Sequence, residues 1–174
     1  LACKSIGYKN AVKIFLIFDN KLNKLHLFGH DFWYRGKSDS GVLSHFYKTA
    51  YVIKDDKSEK KIKTIIDAGA NIGDETFRFV MHNSKATIIA IEPQNENFEI
   101  LKRNFENFNN VKLINKGLWS TKTRLKINQG GTTNESYFVT EVLGEDYDID
   151  AYDIEYILDT NAIDEIDILK LDIE

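Results

Sequence analysis

One short turn carries residue types that can build a ligand site. Residues 64–66 are β-branched, and Asp67, Gly69 and Gly73 follow them directly. Apolar residues at helical spacing begin at residue 72. A strand, a tight glycine turn and a helix in this order form a ligand cradle at the carboxyl end of a parallel strand. The sequence therefore predicts a ligand-binding turn, with a βα turn that binds nothing as the alternative.

The same turn indicates which ligand it suits. A dinucleotide site needs Gly-x-Gly-x-x-Gly so that backbone N–H groups can approach a pyrophosphate, but Asn71 and Asp74 stand at the second and third glycine positions. Asp74 and Glu75 would also repel phosphate, and no Gly-Lys-Ser/Thr follows. The spacing instead suits S-adenosylmethionine, which has no phosphate and carries a cationic sulfonium and an ammonium group.

Glu92 ends the second predicted strand and is followed by Pro93. A carboxylate at this point can accept two charge-assisted hydrogen bonds from vicinal ribose hydroxyls. An acid here also disfavours a 2′-phosphate, and hence NADP. The alternative is a solvated strand-end residue. Together with the glycine turn, the ribose role is favoured.

Residues 115–118 follow the third predicted strand at the same sheet edge. Gly117 with Leu118 or Trp119 can flank an adenine ring there, while a buried Trp119 in the core is equally compatible with the pattern.

The last predicted strand, residues 166–173, is apolar except for one polar stripe. Lys170, Asp172 and Glu174 share a face, because side chains alternate along a strand. If this strand lies beside the first one, Asp172 sits next to Asp67 at the ligand edge, where it can orient or deprotonate an acceptor hydroxyl. A structural Lys170–Asp172 pair is the alternative.

The chain from residue 63 onward reads as alternating strands and helices. Such alternation implies an α/β fold: a Rossmann-like, doubly wound, mainly parallel sheet with right-handed crossovers and helices on both faces. The predicted strands are residues 63–66, 87–91, 111–115, 123–127 and 166–173, and the predicted helices are residues 72–83, 96–109 and 153–158.

Residues 1–60 differ in character and predict a small α+β segment that caps or closes over the core at 61–174. Strands are predicted at residues 13–18, 24–28 and 32–34, with a turn at 19–21, and a helix is predicted after the Ser38-Asp39-Ser40 cap signal. Arg35 and Asp39 form an expected ion pair. The charge-dense residues 54–63 are the expected linker.

Length, charge and composition bound the function. With 174 residues the chain suits one globular domain. A net charge of −4 gives no general attraction to nucleic acid or anionic membrane. No apolar run is long enough to span a bilayer, the single cysteine excludes an internal disulfide, and the four histidines show no metal spacing. We expect a cytoplasmic protein. Because the chain stops inside an apolar strand, we also expect further C-terminal strands.

Four sequence blocks follow one another in the chain: residues 66–73, Ile91-Glu92-Pro93, residues 101–104 and residues 169–174, with residues 34–39 preceding them. Together these blocks resemble the FkbM-type S-adenosylmethionine-dependent methyltransferases, a branch of the class I Rossmann-like methyltransferases. The resemblance implies that the first strand, residues 63–66, lies beside the last strand, residues 166–173. It also implies that Asp67, Gly69, Asn71 and Gly73 hold the methionine end of the cofactor and Glu92 its ribose, with Asp172 near the transferred methyl group. We expect Ala70, Pro93, Gly117 and Leu118 to complete the cofactor-binding set.

The expected function is methyl transfer from S-adenosyl-L-methionine to a hydroxyl of a sugar-containing or other small-molecule or polysaccharide acceptor. An NAD-type oxidoreductase on a similar fold and a non-catalytic α/β module are the alternatives. The missing third glycine and the acidic first helical turn count against the oxidoreductase.

Overall fold

A parallel four-stranded sheet forms the centre of the described structure. The computed structural model describes residues 19–44, 46, 61–130 and 137–173; the predicted strand at 13–18 and most of the predicted linker at 54–63 lie outside these ranges. The strands are β1 Leu22–Leu27, β2 His30–Arg35, β3 Thr64–Ala68, β4 Thr87–Ile91, β5 Val111–Ile114, β6 Gly117–Leu118, β7 Thr123–Gln129, β8 Tyr137–Glu141, β9 Ile149–Tyr152 and β10 Ile168–Leu171. The helices are α1 Ser40–Ser44, preceded by a 3-10 turn at Lys37–Asp39, α2 Asp74–His82, α3 Asn95–Phe105 and α4 Ile154–Thr160.

The central sheet has the strand order β10-β3-β4-β5, and each neighbouring pair is parallel. The last strand therefore lies beside the first strand of the core, as the sequence predicts. The strand register pairs Lys170 with Asp67. All four strands end at one edge, and the predicted ligand residues lie at that edge.

Helices cover both faces of this sheet, which confirms the doubly wound α/β fold. Ile65 and Ile88 of the sheet pack in one core cluster with α2 and α3, whereas Ile66 and Ile89 pack on the opposite face against α4. Strands buried on both faces explain why β3 and β4 read as nearly continuous apolar runs.

Helix α2 begins two residues later than its apolar pattern predicts. Asn71 and Gly73 have φ angles of +52° and +93°, so neither can belong to a right-handed helix. Helix α3 ends at Phe105, before the predicted end at residue 109, and the Phe108 N–H donates to Phe105 O in a tight closing turn.

A second sheet of order β6-β9-β7-β8 was not predicted. It is mixed, because β6 and β9 are parallel while β7 is antiparallel to both of its neighbours. A small core of Leu125, Ile149 and Ala151 holds it together, and Trp119 packs there. Trp119 is therefore a packing residue of this sheet.

The N-terminal region contains an antiparallel hairpin of β1 and β2. Its turn is Phe28-Gly29, with φ angles of +50° and +85°, as the tight turns of twisted hairpins require. Phe32 and Val42 of this region share the core cluster of α2 and α3. The division at residue 60 lies outside the described residues and stays a prediction.

Candidate active site

A cavity of about 340 Å³ opens at the carboxyl edge of the central sheet, between it and the second sheet. Its lining includes seven of the predicted site residues: Gly69, Asn71, Glu92, Pro93, Gly117, Leu118 and Asp172. Ala70, Asp67 and Gly73 do not line it. Three separate predictions, for the turn, the strand tip and the last strand, therefore meet in one space.

Gly69 lies where the ends of β3 and β10 approach each other most closely. Its φ is +76°, and a Cβ there would lie 2.0 Å from the backbone oxygen of Asp172. The N–H groups of Gly69 and Ala70 donate to Ile91 O at 2.9 and 3.0 Å. The turn is thus fixed to β4 and β10, and glycine is required by contact as well as by φ.

Gly73 serves a different purpose from Gly69. It precedes α2 with a φ of +93°, and a Cβ there would lie 2.3 Å from the ring of Phe105 and 2.7 Å from Leu101. This glycine therefore allows α2 and α3 to pack closely behind the cavity wall. Ala70 is also buried beside it.

Asp67 is fully buried behind the cavity. It accepts a hydrogen bond from the Thr76 hydroxyl at 2.6 Å and forms an ion pair of 3.0 Å with Lys170. Burial raises the pKa of Asp67, and the Lys170 charge and the Thr76 hydrogen bond offset part of that rise. Burial lowers the pKa of Lys170, but the charge of Asp67, the hydrogen bond to Asp67 and the charges of Asp172 and Asp74 together outweigh burial, so the net direction is upward.

Lys170 links three parts of the site and was not among the predicted site residues. Besides Asp67, its ammonium group donates to Gly69 O at 3.0 Å and lies 3.4 Å from Asp172. The sequence placed Lys170 and Asp172 on one face, but the contact with Asp67 is shorter. Only the register that pairs β10 with β3 places Lys170 opposite Asp67, and the sequence carries no signal for that register.

Glu92 presents a buried carboxylate at the cavity. Its Oε2 accepts the Asn71 N–H at 2.8 Å, and its Oε1 accepts the Gln94 N–H at 3.0 Å and Asn97 Nδ2 at 3.4 Å. Burial raises the pKa of Glu92, and the hydrogen bonds from Gln94, Asn71 and Asn97 work in the opposite direction. The carboxylate is held rigidly, and its remaining lone pairs can accept further hydrogen bonds.

The wall opposite Glu92 is apolar and comes largely from the second sheet. Leu118, Leu125, Ile127 and Val139 line the cavity there. Gly117 permits this packing, because a Cβ at that position would lie 2.6 Å from Leu125. A planar apolar group such as a nucleobase suits such a wall.

Asp172 lies at the rim. Its backbone N–H continues the sheet by donating to Ala68 O at 3.0 Å, while its side chain is 67% exposed. An exposed carboxylate beside a cavity can reach a bound molecule without any rearrangement of the sheet.

Among residues 19–44, 46, 61–130 and 137–173, no cluster of three potential metal ligands occurs. Within the same ranges, none of the helices combines the length and apolarity that crossing a bilayer demands.

The fold and this cavity together define a Rossmann-like α/β protein with a cavity at the switch point of its parallel sheet. The profile of the methyltransferase FkbM domain matches residues 67–174, more than half of the chain. The chain therefore belongs to the FkbM methyltransferase domain family. A search of curated proteins returns no significant match.

Solved structures that are similar to this chain include one methyltransferase FkbM and two TYW2 proteins. Methyltransferase FkbM from Methylobacillus flagellatus KT is 20% identical, and the match covers 66% of this chain and 26% of that protein's chain with a TM-score of 0.44. For P. horikoshii TYW2 in complex with MeSAdo the identity is 17%, and the match covers 59% of this chain and 38% of that chain with a TM-score of 0.39. For M. jannaschii TYW2 in complex with AdoMet the identity is 17%, and the match covers 57% of this chain and 45% of that chain with a TM-score of 0.40. This chain thus spans less than half of each of those structures.

The cofactor that the family implies is S-adenosylmethionine, and the residues of the cavity fit it. The buried carboxylate of Glu92 suits a vicinal diol. Gly69 and Asn71 of the turn line the same cavity as Glu92. The apolar wall at Leu118 suits an adenine ring, and no phosphate-binding cluster is needed.

Proposed function

We propose that this protein transfers a methyl group from S-adenosylmethionine to a hydroxyl group of a sugar-containing or other small-molecule or polysaccharide acceptor. The observation that carries the proposal is the single cavity that joins the Gly69 turn, the Glu92 carboxylate and the Gly117–Leu118 wall. Family membership supports methyl transfer rather than the hydride transfer of a dinucleotide oxidoreductase.

In this proposal the cofactor lies along the carboxyl edge of the central sheet. The turn of Gly69 and Asn71 holds the methionine end, Glu92 accepts hydrogen bonds from the ribose hydroxyls, and residues 117–118 flank the adenine. Pro93 contributes to the wall next to Glu92. Asp67, Ala70 and Gly73 act from behind this surface, since none of them lines the cavity.

When bound, S-adenosylmethionine supplies an electrophilic methyl group on a good leaving group. The protein then has mainly to align donor and acceptor. Asp172, at the rim, orients the acceptor hydroxyl and accepts its proton. Lys170 lies 3.4 Å from the Asp172 carboxylate and limits the directions in which it can point.

A thermal-shift comparison tests the cofactor assignment. S-adenosylhomocysteine should raise the melting temperature of the protein, because a ligand that binds only the native state stabilises it, whereas NAD should not. Stabilisation by NAD and not by S-adenosylhomocysteine would reverse the assignment.

The role of Asp172 is tested by Asp172→Asn. Because the Asp172 side chain is largely exposed, the variant should fold and bind S-adenosylhomocysteine within about twofold of the wild type. Its rate of methyl transfer should fall by about 100-fold or more, the usual contribution of a positioned general base. An unchanged rate would remove Asp172 from the mechanism.

A further inference from the structure

A chain of polar contacts connects the N-terminal hairpin with Glu92. It begins at Asp39, which is fully buried and forms an ion pair of 2.9 Å with Arg35 at the end of β2. The backbone N–H and Nε of Arg35 also donate to the Asp39 carboxylate. This buried pair fixes the guanidinium group in one orientation.

The next contact crosses from the hairpin to α3. Arg35 Nη2 donates to Asn97 Oδ1 at 2.5 Å, and Asn97 Nδ2 donates to Glu92 Oε1 at 3.4 Å. A guanidinium group can only donate, so it holds the amide with its oxygen towards Arg35 and its NH2 group towards Glu92. With the amide reversed, Asn97 Oδ1 would face the carboxylate and repel it.

Asn97 is also fixed through the backbone. Its N–H donates to the Gln94 side chain in the N-terminal cap of α3, and the Gln94 N–H donates to the same Glu92 oxygen that Asn97 approaches. Asn97 and Glu92 are both buried. The start of α3 and the hairpin therefore converge on one oxygen of one carboxylate.

We propose that Arg35 and Asn97 are positioning residues for Glu92, so that the N-terminal hairpin determines how selectively the site recognises a ribose diol. This inference rests on the proposed function, because it takes Glu92 as the acceptor of the ribose hydroxyl hydrogen bonds. Arg35 and Asn97 act through the orientation of the carboxylate and not by touching the ligand.

The test compares two ligands by calorimetry: S-adenosylhomocysteine and its 2′,3′-dideoxy analogue, which lacks the diol. The variants are Asn97→Ala, which leaves the Arg35–Asp39 pair intact, and Arg35→Lys, which keeps a cation beside Asp39 but lacks the fork that also reaches Asn97. Arg103→Met is the matched control. It removes a cation from the same hairpin–α3 interface, where the Arg103 guanidinium lies 3.5 Å from the Trp33 ring centroid, without touching Asn97.

Asn97→Ala and Arg35→Lys should each weaken binding of S-adenosylhomocysteine about tenfold, the equivalent of one charge-assisted hydrogen bond, and change binding of the analogue by less than about twofold. Arg103→Met should leave the ratio of the two affinities at its wild-type value. Equal weakening of both ligands, or no weakening, would overturn the positioning role.

The same titrations distinguish a failure of this inference from a failure of the proposed function on which it rests. If the wild type binds neither ligand, the proposed function fails and this inference fails with it. If the wild type binds both ligands equally, the cofactor assignment stands, but the ribose role of Glu92 and the positioning role are both wrong.

Discussion

At the scale of single residues, two glycines with the same backbone conformation differ in what surrounds them. Gly69 and Gly29 have φ angles of +76° and +85°. A Cβ at Gly69 would collide with the backbone of Asp172, whereas a Cβ at Gly29 would meet nothing within 4 Å. The two positions therefore separate the cost of the left-handed conformation from the cost of the close approach.

Gly29→Ala should lower the free energy of unfolding by about 1 kcal/mol, the cost of placing a side chain in the left-handed region. Gly69→Ala should lower it by about 3 kcal/mol or more, because the end of β10 must move away as well. Urea denaturation of both variants measures the difference. Equal losses of unfolding free energy in the two variants would show that the end of β10 does not have to move to make room for a side chain at residue 69.

Glu92 makes a residue-scale prediction about pH. Burial places its folded-state pKa above the ordinary value of 4.5, so folding favours the protonated form. Its contribution to stability is full below pH 4.5 and declines as the pH rises through the folded-state pKa. Compared with Glu92→Gln, the wild type should therefore lose free energy of unfolding as the pH rises from 4.5 towards neutrality.

Urea titrations of the two proteins across this pH range test that sign. The difference between wild type and Glu92→Gln isolates Glu92 from the other titrating groups. A difference that grows in favour of the wild type with rising pH would mean that hydrogen bonds from Asn71, Gln94 and Asn97 outweigh burial.

At the scale of elements, the packing of α2 against α3 depends on the missing side chain of Gly73. A Cβ there would lie 2.3 Å from the Phe105 ring, and both residues belong to the wall behind the cavity. The contact joins the glycine turn to a helix whose other end carries Asn97. The distance between α2 and α3 therefore affects the positions of both the glycine turn and Asn97.

Gly73→Ala should destabilise the protein, and Phe105→Leu in the same chain should recover part of the loss by making room. We expect a coupling of about 1 kcal/mol in a double-mutant cycle, as for residues in direct contact. The left-handed φ is strained in both backgrounds and cancels from the cycle. If the losses of unfolding free energy of the two single variants simply add, residues 73 and 105 are not in contact.

The sequence predicted the elements of the central sheet well, because strands buried on both faces and amphipathic helices leave clear periodic patterns. Prediction failed where the structure depended on backbone conformations that produce no periodic pattern in the sequence. The left-handed φ of Gly73 moved the start of α2 from the predicted residue 72 to Asp74. The turn of the observed hairpin, Phe28-Gly29, begins with an aromatic residue that carries no turn signal.

At the scale of the whole molecule, the second sheet was beyond sequence reasoning. Strand β6 has two residues, and its partner β9 lies more than thirty positions further along the chain. Such short, distant pairings have no local signature. This sheet nevertheless supplies the apolar wall of the cavity through Leu125, Ile127 and Val139, so this part of the cavity lining could not be foreseen.

The ion pair of Lys170 shows the same limit. Asp67 and Asp172 are both candidate partners in the sequence, and only the register of β10 on β3 places Lys170 opposite Asp67. The predicted residues that do meet in the cavity meet because parallel strands end at a common edge. The alternation of strands and helices made the topology of the central sheet predictable. The register of its strands and the pairing of strands far apart in the sequence were not predictable.

The most direct measurement is a crystal structure of the protein with S-adenosylhomocysteine. We expect the ligand in the cavity at the carboxyl edge of the central sheet, with its ribose hydroxyls within about 3 Å of the Glu92 carboxylate and its adenine against Leu118. A ligand bound at another place, or bound here with its ribose turned away from Glu92, would contradict the assignment of this cavity as the methyl-donor site.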